Sequence, residues 1–236
     1  MITPGQGART RETSIAWRKV RSDHSLTRAL SRIIVDGYRK YLTARDPLSA
    51  MDEFRRFKIL CALKNGPFGV NTINRQAEQV LSSEGLIPSG QTERNPWYRG
   101  RPVLITENDY NLGLFNGDIG ITLSDPNSSA KVLHVYFPGR SGEIRRFSTH
   151  RLARHETVYA MTVHKSQGSE FDHLVLILPD KDYPLLTREL IYTGLTRARQ
   201  TVAIWGTESV LKTAIMRRIE RTSGLREALW GGTNVD

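Results

Sequence analysis

The chain has 236 residues, 39% of them hydrophobic and 25% charged, the balance of an ordinary globular protein with one large core or two small ones. Its net charge of +10 and pI near 10.0 favour a polyanionic partner, because each phosphate neutralised releases condensed counterions. One cysteine, Cys61, excludes an internal disulfide and agrees with a cytoplasmic setting, and neither a secretory leader nor an apolar run of about 18 residues is expected.

Residues 1–24 are polar and basic, lack periodicity, and are expected to form a flexible segment. Leu26, Leu30, Ile33, Ile34, Tyr38 and Tyr41 then recur at helical spacing, and Asp46-Pro47 breaks that helix. A short helix with Met51 and Phe54 leads into a strand over 57–63, where Cys61 reads as core filling. Asn65-Gly66-Pro67-Phe68-Gly69 is strong punctuation, and Ile73, Ala77, Val80 and Leu81 give the next helical face. Strand, glycine-rich turn and helix make a unit of an α/β fold.

After a polar connector over 84–97 the texture changes. Short apolar runs at 103–105, 119–123, 132–137 and 143–148 alternate with turn signals at Asn116-Gly117, Asp125-Pro126 and Pro138-Gly139. Closely spaced short strands suggest a small antiparallel barrel inserted over 98–150. Trp97 and Tyr98 either stack on bases or anchor that barrel to its host. The α/β texture resumes with strands over 158–163 and 174–178. Next comes a helix whose core face holds Leu190, Ile191, Gly194, Leu195 and Ala198. A strand over 202–205 and a last helix with Leu211, Ile215 and Ile219 follow.

Two segments carry chemistry. The polar loop within 162–172 supplies donors (Lys165, Ser166, Gln167), a glycine where backbone can approach phosphate (Gly168) and a carboxylate (Glu170) suited to a ribose or a nucleotide-bound water. Thr162, His164 and Ser166 suit a nucleic-acid phosphate. Downstream, a turn of about 100° per residue sets Arg197 and Arg199 on opposite flanks of the apolar stripe of one helix. From there an arginine can reach a neighbour's γ-phosphate, an arrangement that accelerates phosphoryl transfer by about 10³ to 10⁵. The blander alternative makes the loop an ordinary polar connection and both arginines solvated surface residues. His150 and His155 come with no cysteine pair, which argues against a zinc site.

Four stretches, spread over 38–229, together resemble the RecD family, the α subunits of bacterial exodeoxyribonuclease V. They are Phe57-Lys58-Ile59-Leu60-Cys61-Ala62-Leu63-Lys64-Asn65-Gly66-Pro67-Phe68-Gly69-Val70 with Asn74 (motif IV), Trp97-Tyr98-Arg99-Gly100-Arg101-Pro102-Val103 with Leu112-Gly113-Leu114-Phe115-Asn116-Gly117-Asp118-Ile119-Gly120 (the inserted barrel), Thr162-Val163-His164-Lys165-Ser166-Gln167-Gly168-Ser169-Glu170-Phe171-Asp172 (motif V) and Thr187-Arg188-Glu189-Leu190 through Arg199 (motif VI). The ending Ser223-Gly224-Leu225 also fits.

The resemblance implies the second RecA-like, parallel-sheet motor domain (2A) of a superfamily 1 helicase, an α/β fold, with an inserted SH3-like barrel (2B). Residues 25–97 and 151–236 would form the host. Arg197 then matches the arginine that contacts the γ-phosphate. Gln167, Gly168 and Glu170 match positions near nucleotide. Thr162, His164, Lys165 and Ser166 match positions near the single strand, and Lys64 and Asn74 match motif IV. The implied whole is a 5′-to-3′ DNA helicase using ATP and Mg²⁺ alongside RecB- and RecC-like subunits. No G-x-x-x-x-G-K-[ST] pattern occurs in the chain, so ATP would be held by a first motor domain and the chain alone is expected to be inactive. The alternative is a basic nucleic-acid-binding or subunit-docking module without catalysis.

Overall fold

The computed structural model describes residues 14–20, 22–90, 95–125, 132–139, 142–152 and 154–219. The turn expected at 125–128 lies mostly outside them, as do Ser223-Gly224-Leu225 and the residues before 14.

Five strands form a parallel sheet in the order β1 (Ser14–Lys19), β10 (Ala198–Gly206), β9 (Phe171–Ile177), β2 (Phe57–Cys61), β8 (Ala160–Thr162). β2 is buried along its length, as expected for a strand covered on both faces. Helix α1 (Asp23–Thr43) starts on a capping box in which the Ser22 and Ser25 side chains bond each other's backbone N–H. It buries Leu26, Leu30, Ile34, Tyr38 and Tyr41, as its spacing predicts. Asp46 does more than break that helix. Its carboxylate accepts from Ser49 N at 2.9 Å and caps α2 (Pro47–Arg56), with Pro47 in the first turn.

After α3 (Val70–Ser83) the chain builds a second, antiparallel sheet. Its order is β6 (Ile144–Ser148), β5 (Leu133–Pro138), β4 (Ile119–Ser124), β3 (Pro102–Ile105), β7 (His155–Thr157). The chain then returns to the parallel sheet as β8. Tyrosines and an arginine fasten the crossing. Tyr41 donates to Gly100 O at 2.9 Å, Tyr38 donates to Tyr159 O, and Tyr98 donates to Glu78 at 2.8 Å. Arg99 donates to Leu42 O and Ala44 O. Tyr98 is buried, and the Trp97 ring lies 4.9 Å from that of His155. Both aromatics anchor the second sheet.

The structure corrects three boundaries. Ser14–Lys19 is a strand in register with β10, although the sequence there predicts a flexible segment. The antiparallel sheet does not end at His150, because β7 pairs with β3. Helix α4 (Arg188–Leu195) stops before the two arginines. Strand pairing overrides helix propensity there: the Arg197 carbonyl accepts from Phe171 N at 2.8 Å and Ala198 sits in register with Phe171. Gly194 permits close packing as expected, since a Cβ there would lie 3.2 Å from the Leu176 side chain. Helix α5 (Glu208–Met216) follows β10. Among the described residues no helix is long and apolar enough to cross a membrane.

Candidate nucleotide and nucleic-acid interface

The segment between β8 and β9 shapes itself. Thr162 Oγ1 accepts from Lys165 N at 3.2 Å, and a 3-10 turn over His164–Ser166 follows. Gly168 then takes φ +84°, a left-handed conformation that glycine adopts without strain. Ser166 is fully buried, with its hydroxyl donating to Val163 O at 2.7 Å. That removes Ser166 from the predicted phosphate contacts, because its hydroxyl holds the turn.

The predicted site residues divide between the two ends of the parallel strands. Thr162 ends β8 in register with Cys61, the last residue of β2, which pairs with Ile177 at the end of β9. Phe171 starts β9, and six residues at about 3.3 Å each put it roughly 20 Å away. Thr162, His164, Lys165 and Lys64 therefore gather at the carboxyl end. Gly168, Glu170 and Arg197 gather at the amino end, next to Phe171 and Ala198. The intervening segment runs from one end to the other.

At the carboxyl end His164 and Lys64 are exposed and Thr162 is half-buried. Lys165 is paired: its Nζ lies 2.5 Å from Glu156 Oε1 on β7. Asn74 does not belong to this surface. It is nine-tenths buried, accepts from Ala160 N at 2.7 Å and donates to Ala160 O at 3.3 Å. Its amide pairs both backbone groups of an edge-strand residue, so its predicted contact with DNA is withdrawn.

At the amino end the half-buried Arg197 donates to Thr193 O at 3.2 Å, Ser169 O at 3.3 Å and Thr196 Oγ1 at 3.3 Å. Three of its five N–H groups are thus engaged. Arg199 Nε lies 2.8 Å from Glu170 Oε2, both half exposed. The two arginines flank the start of a strand, not a helix, and each touches the segment from β8. A cleft of about 310 Å³ opens between the sheets, lined by Arg55, Lys58, Asp118, Gly168, Ser169 and Glu170. Gln167 and His164 share a separate groove with Thr187, Glu189 and Thr193 of the α4 region.

Lys58, Glu156 and the partners of Arg197 escape sequence reasoning. Lys58 lies in an apolar strand and is fully buried; its amine donates to Val158 O at 3.2 Å and stands 3.6 Å from the centre of the Phe54 ring. Burial holds its pKa well below the ordinary lysine value. Burial likewise raises the Cys61 thiol, an inert core cysteine. Among the described residues no cluster of three or more His, Cys, Asp or Glu could hold a metal ion.

The parallel sheet carries a polar crossing segment and an arginine at the next strand start, and residues 157–205, which contain both, match the UvrD-like helicase C-terminal domain family. The chain is a relative of RecD. It is 44% identical over 182 residues to the RecBCD enzyme subunit RecD of Mycobacterium tuberculosis (strain CDC 1551 / Oshkosh), covering 77% of this chain and 30% of that protein. It is 32% identical over 174 residues to the ATP-dependent RecD2 DNA helicase of Deinococcus radiodurans, covering 73% and 23%. The chain thus spans less than a third of the length of either. The crystal structure of Pif1 helicase from Bacteroides in complex with ADP-AlF3 and ssDNA is 16% identical, over 75% of this chain and 48% of that one. Its TM-score of 0.38 is too low to place any residue.

Proposed function

We propose that this chain works as the second motor domain of an ATP-dependent 5′-to-3′ DNA helicase subunit. That subunit would act with RecB- and RecC-like partners in double-strand-break repair and recombination. In this reading the parallel sheet and its helices are the 2A domain. The antiparallel sheet, extended to Thr157, is an inserted SH3-like 2B unit. Thr162, His164, Lys165 and Lys64 grip the backbone of single-stranded DNA at the carboxyl end of the strands. Gln167, Gly168 and Glu170 lie toward nucleotide, and Arg197 reaches the γ-phosphate of ATP held by another domain. ATP and Mg²⁺ belong to the full-length protein, and no residue here is assigned to the metal.

The observation that carries the reading is the tether of Arg197. A guanidinium bonded to the Thr193 and Ser169 carbonyls is oriented in advance, as an electrostatic catalyst must be. Its proposed role is to stabilise charge in the transition state. The test uses the full-length protein. Arg197→Ala should cut DNA-stimulated ATP turnover by about 10³-fold or more while leaving single-strand affinity intact. The 236-residue chain by itself should hydrolyse no ATP. DNA-stimulated turnover by this chain alone that is lost on Arg197→Ala would sink the reading.

A further inference from the structure

Glu156 is the side chain that sequence reasoning does not place and that touches the proposed DNA-gripping surface. The crossover between the sheets puts it there. On β7 the neighbours of Glu156 face the other way: His155 stacks against Trp97, and Thr157 Oγ1 accepts from Arg101 Nε at 3.0 Å. Alternation along the strand turns Glu156 to the opposite face. Three residues after β7 the chain enters β8, and the turn that follows brings Lys165 back to within 2.5 Å of that carboxylate. The two side chains are 36% and 34% exposed. Water reaches both, so the pair is weak and displaceable.

We propose that Glu156 occupies the place of a DNA phosphate at Lys165 and acts as a gate that the incoming strand must displace. The proposal rests on the reading that Lys165 faces single-stranded DNA. It adds a consequence that reading lacks. A phosphate that binds a free lysine releases about 0.7 of a counterion from single-stranded DNA. A phosphate that displaces Glu156 releases the same amount, but it must also break the existing ion pair, which offsets about 0.2–1 kcal/mol of the new contact. Lys165 therefore adds less to affinity while Glu156 is present than it would alone. The displacement also unties the β8–β9 segment from the antiparallel sheet, so strand binding is felt by the segment that carries Ser169 and Glu170.

The test compares the unaltered chain, Glu156→Gln and the double variant Glu156→Gln/Lys165→Gln, titrating a labelled oligo-dT strand over a salt series. Glu156→Gln should tighten binding by about two- to fivefold, the worth of an exposed ion pair. The slope of log K against log salt should stay the same, because Lys165 meets a phosphate in both proteins. The double variant should lose the gain in affinity and show a slope shallower by about 0.7. Affinity unchanged in Glu156→Gln, with the double variant still weaker, would overturn the gate and leave the DNA-facing lysine standing. A double variant indistinguishable from Glu156→Gln would instead remove Lys165 from the DNA surface. Thermal unfolding of each variant separates these results from a change in stability.

Discussion

Replacing Lys58 by methionine should stabilise the protein, and the gain should fade as pH rises. Lys58 is fully buried on β2 with one acceptor, Val158 O, and it is in no ion pair found among the described residues. Two effects compete. A charged amine over the Phe54 ring gains about 0.5–2 kcal/mol from the cation–π contact. Holding that charge out of water costs several kcal/mol. Desolvation wins, which is why the folded pKa falls. An amine with one hydrogen bond is still an incompletely satisfied buried polar group, worth about 1–3 kcal/mol of lost stability. Methionine keeps the length of the side chain and removes that cost.

The sign follows from proton binding. In the unfolded chain the amine titrates near about 10.4, above its folded value. Between those two pKa values the unfolded state binds more protons, so stability rises with pH. The charge part of the penalty is complete at and below the folded pKa and vanishes above the unfolded one, leaving the incomplete hydrogen bonding of the neutral amine. Lys58→Met should therefore raise the melting temperature at neutral pH by about 2–12 °C, taking about 2–4 °C per kcal/mol for a chain of this size. Urea unfolding of both proteins over a pH series provides the assay. A methionine variant less stable by the same amount at every pH would show that the Val158 and Phe54 contacts outweigh desolvation, and the reasoning would fail.

Two further outcomes follow from the same contacts. Asn74→Leu leaves the N–H and C=O of Ala160 unpaired and should cost about 1–3 kcal/mol for each, seen in urea unfolding, with no loss of single-strand affinity by the folded molecules. Arg217 grips Asp182 through both carboxylate oxygens, and that hydrogen bonding holds the Asp182 pKa below the ordinary carboxylate value. This contribution is present above the unfolded aspartate pKa of about 3.9 and is lost as pH falls through the lower folded value. Arg217→Gln should thus destabilise at neutral pH and by less in acid, and equal destabilisation at both would refute the pairing.

The buried elements are legible in the sequence because their pattern is set by one local period. α1 and α3 show it, as does the apolar run of β9. The misses share a different cause. β1 is exposed along its length, so no buried face marks it, and only the register with β10 makes it a strand. α4 ends where the Arg197 carbonyl is taken by Phe171, a partner 26 residues earlier in the sequence that no local propensity announces. Ser166 and Asn74 carry the right chemistry for a phosphate, but the fold spends their polar atoms on its own backbone. Residue type shows what a side chain is able to bind, whereas its partners in the fold show whether it is available.

The division of the site has a mechanical consequence. Thr162 and Phe171, the two ends of the crossing segment, stand roughly 20 Å apart along the strands, whereas His164 and Gln167 between them share one groove. What joins the two ends is covalent: the single segment from Thr162 to Phe171. One end of it is tied to the antiparallel sheet through Lys165 and Glu156. The other end is tied to β10 through Glu170 and Arg199, and to Arg197 through the Ser169 carbonyl. A displacement of this backbone is one route by which strand binding can reach the arginine, and the groove that His164 shares with Thr193 is another. The exposed pair at each end is weak enough to break, whereas Ser166, buried at the turn between them, keeps the segment from slackening.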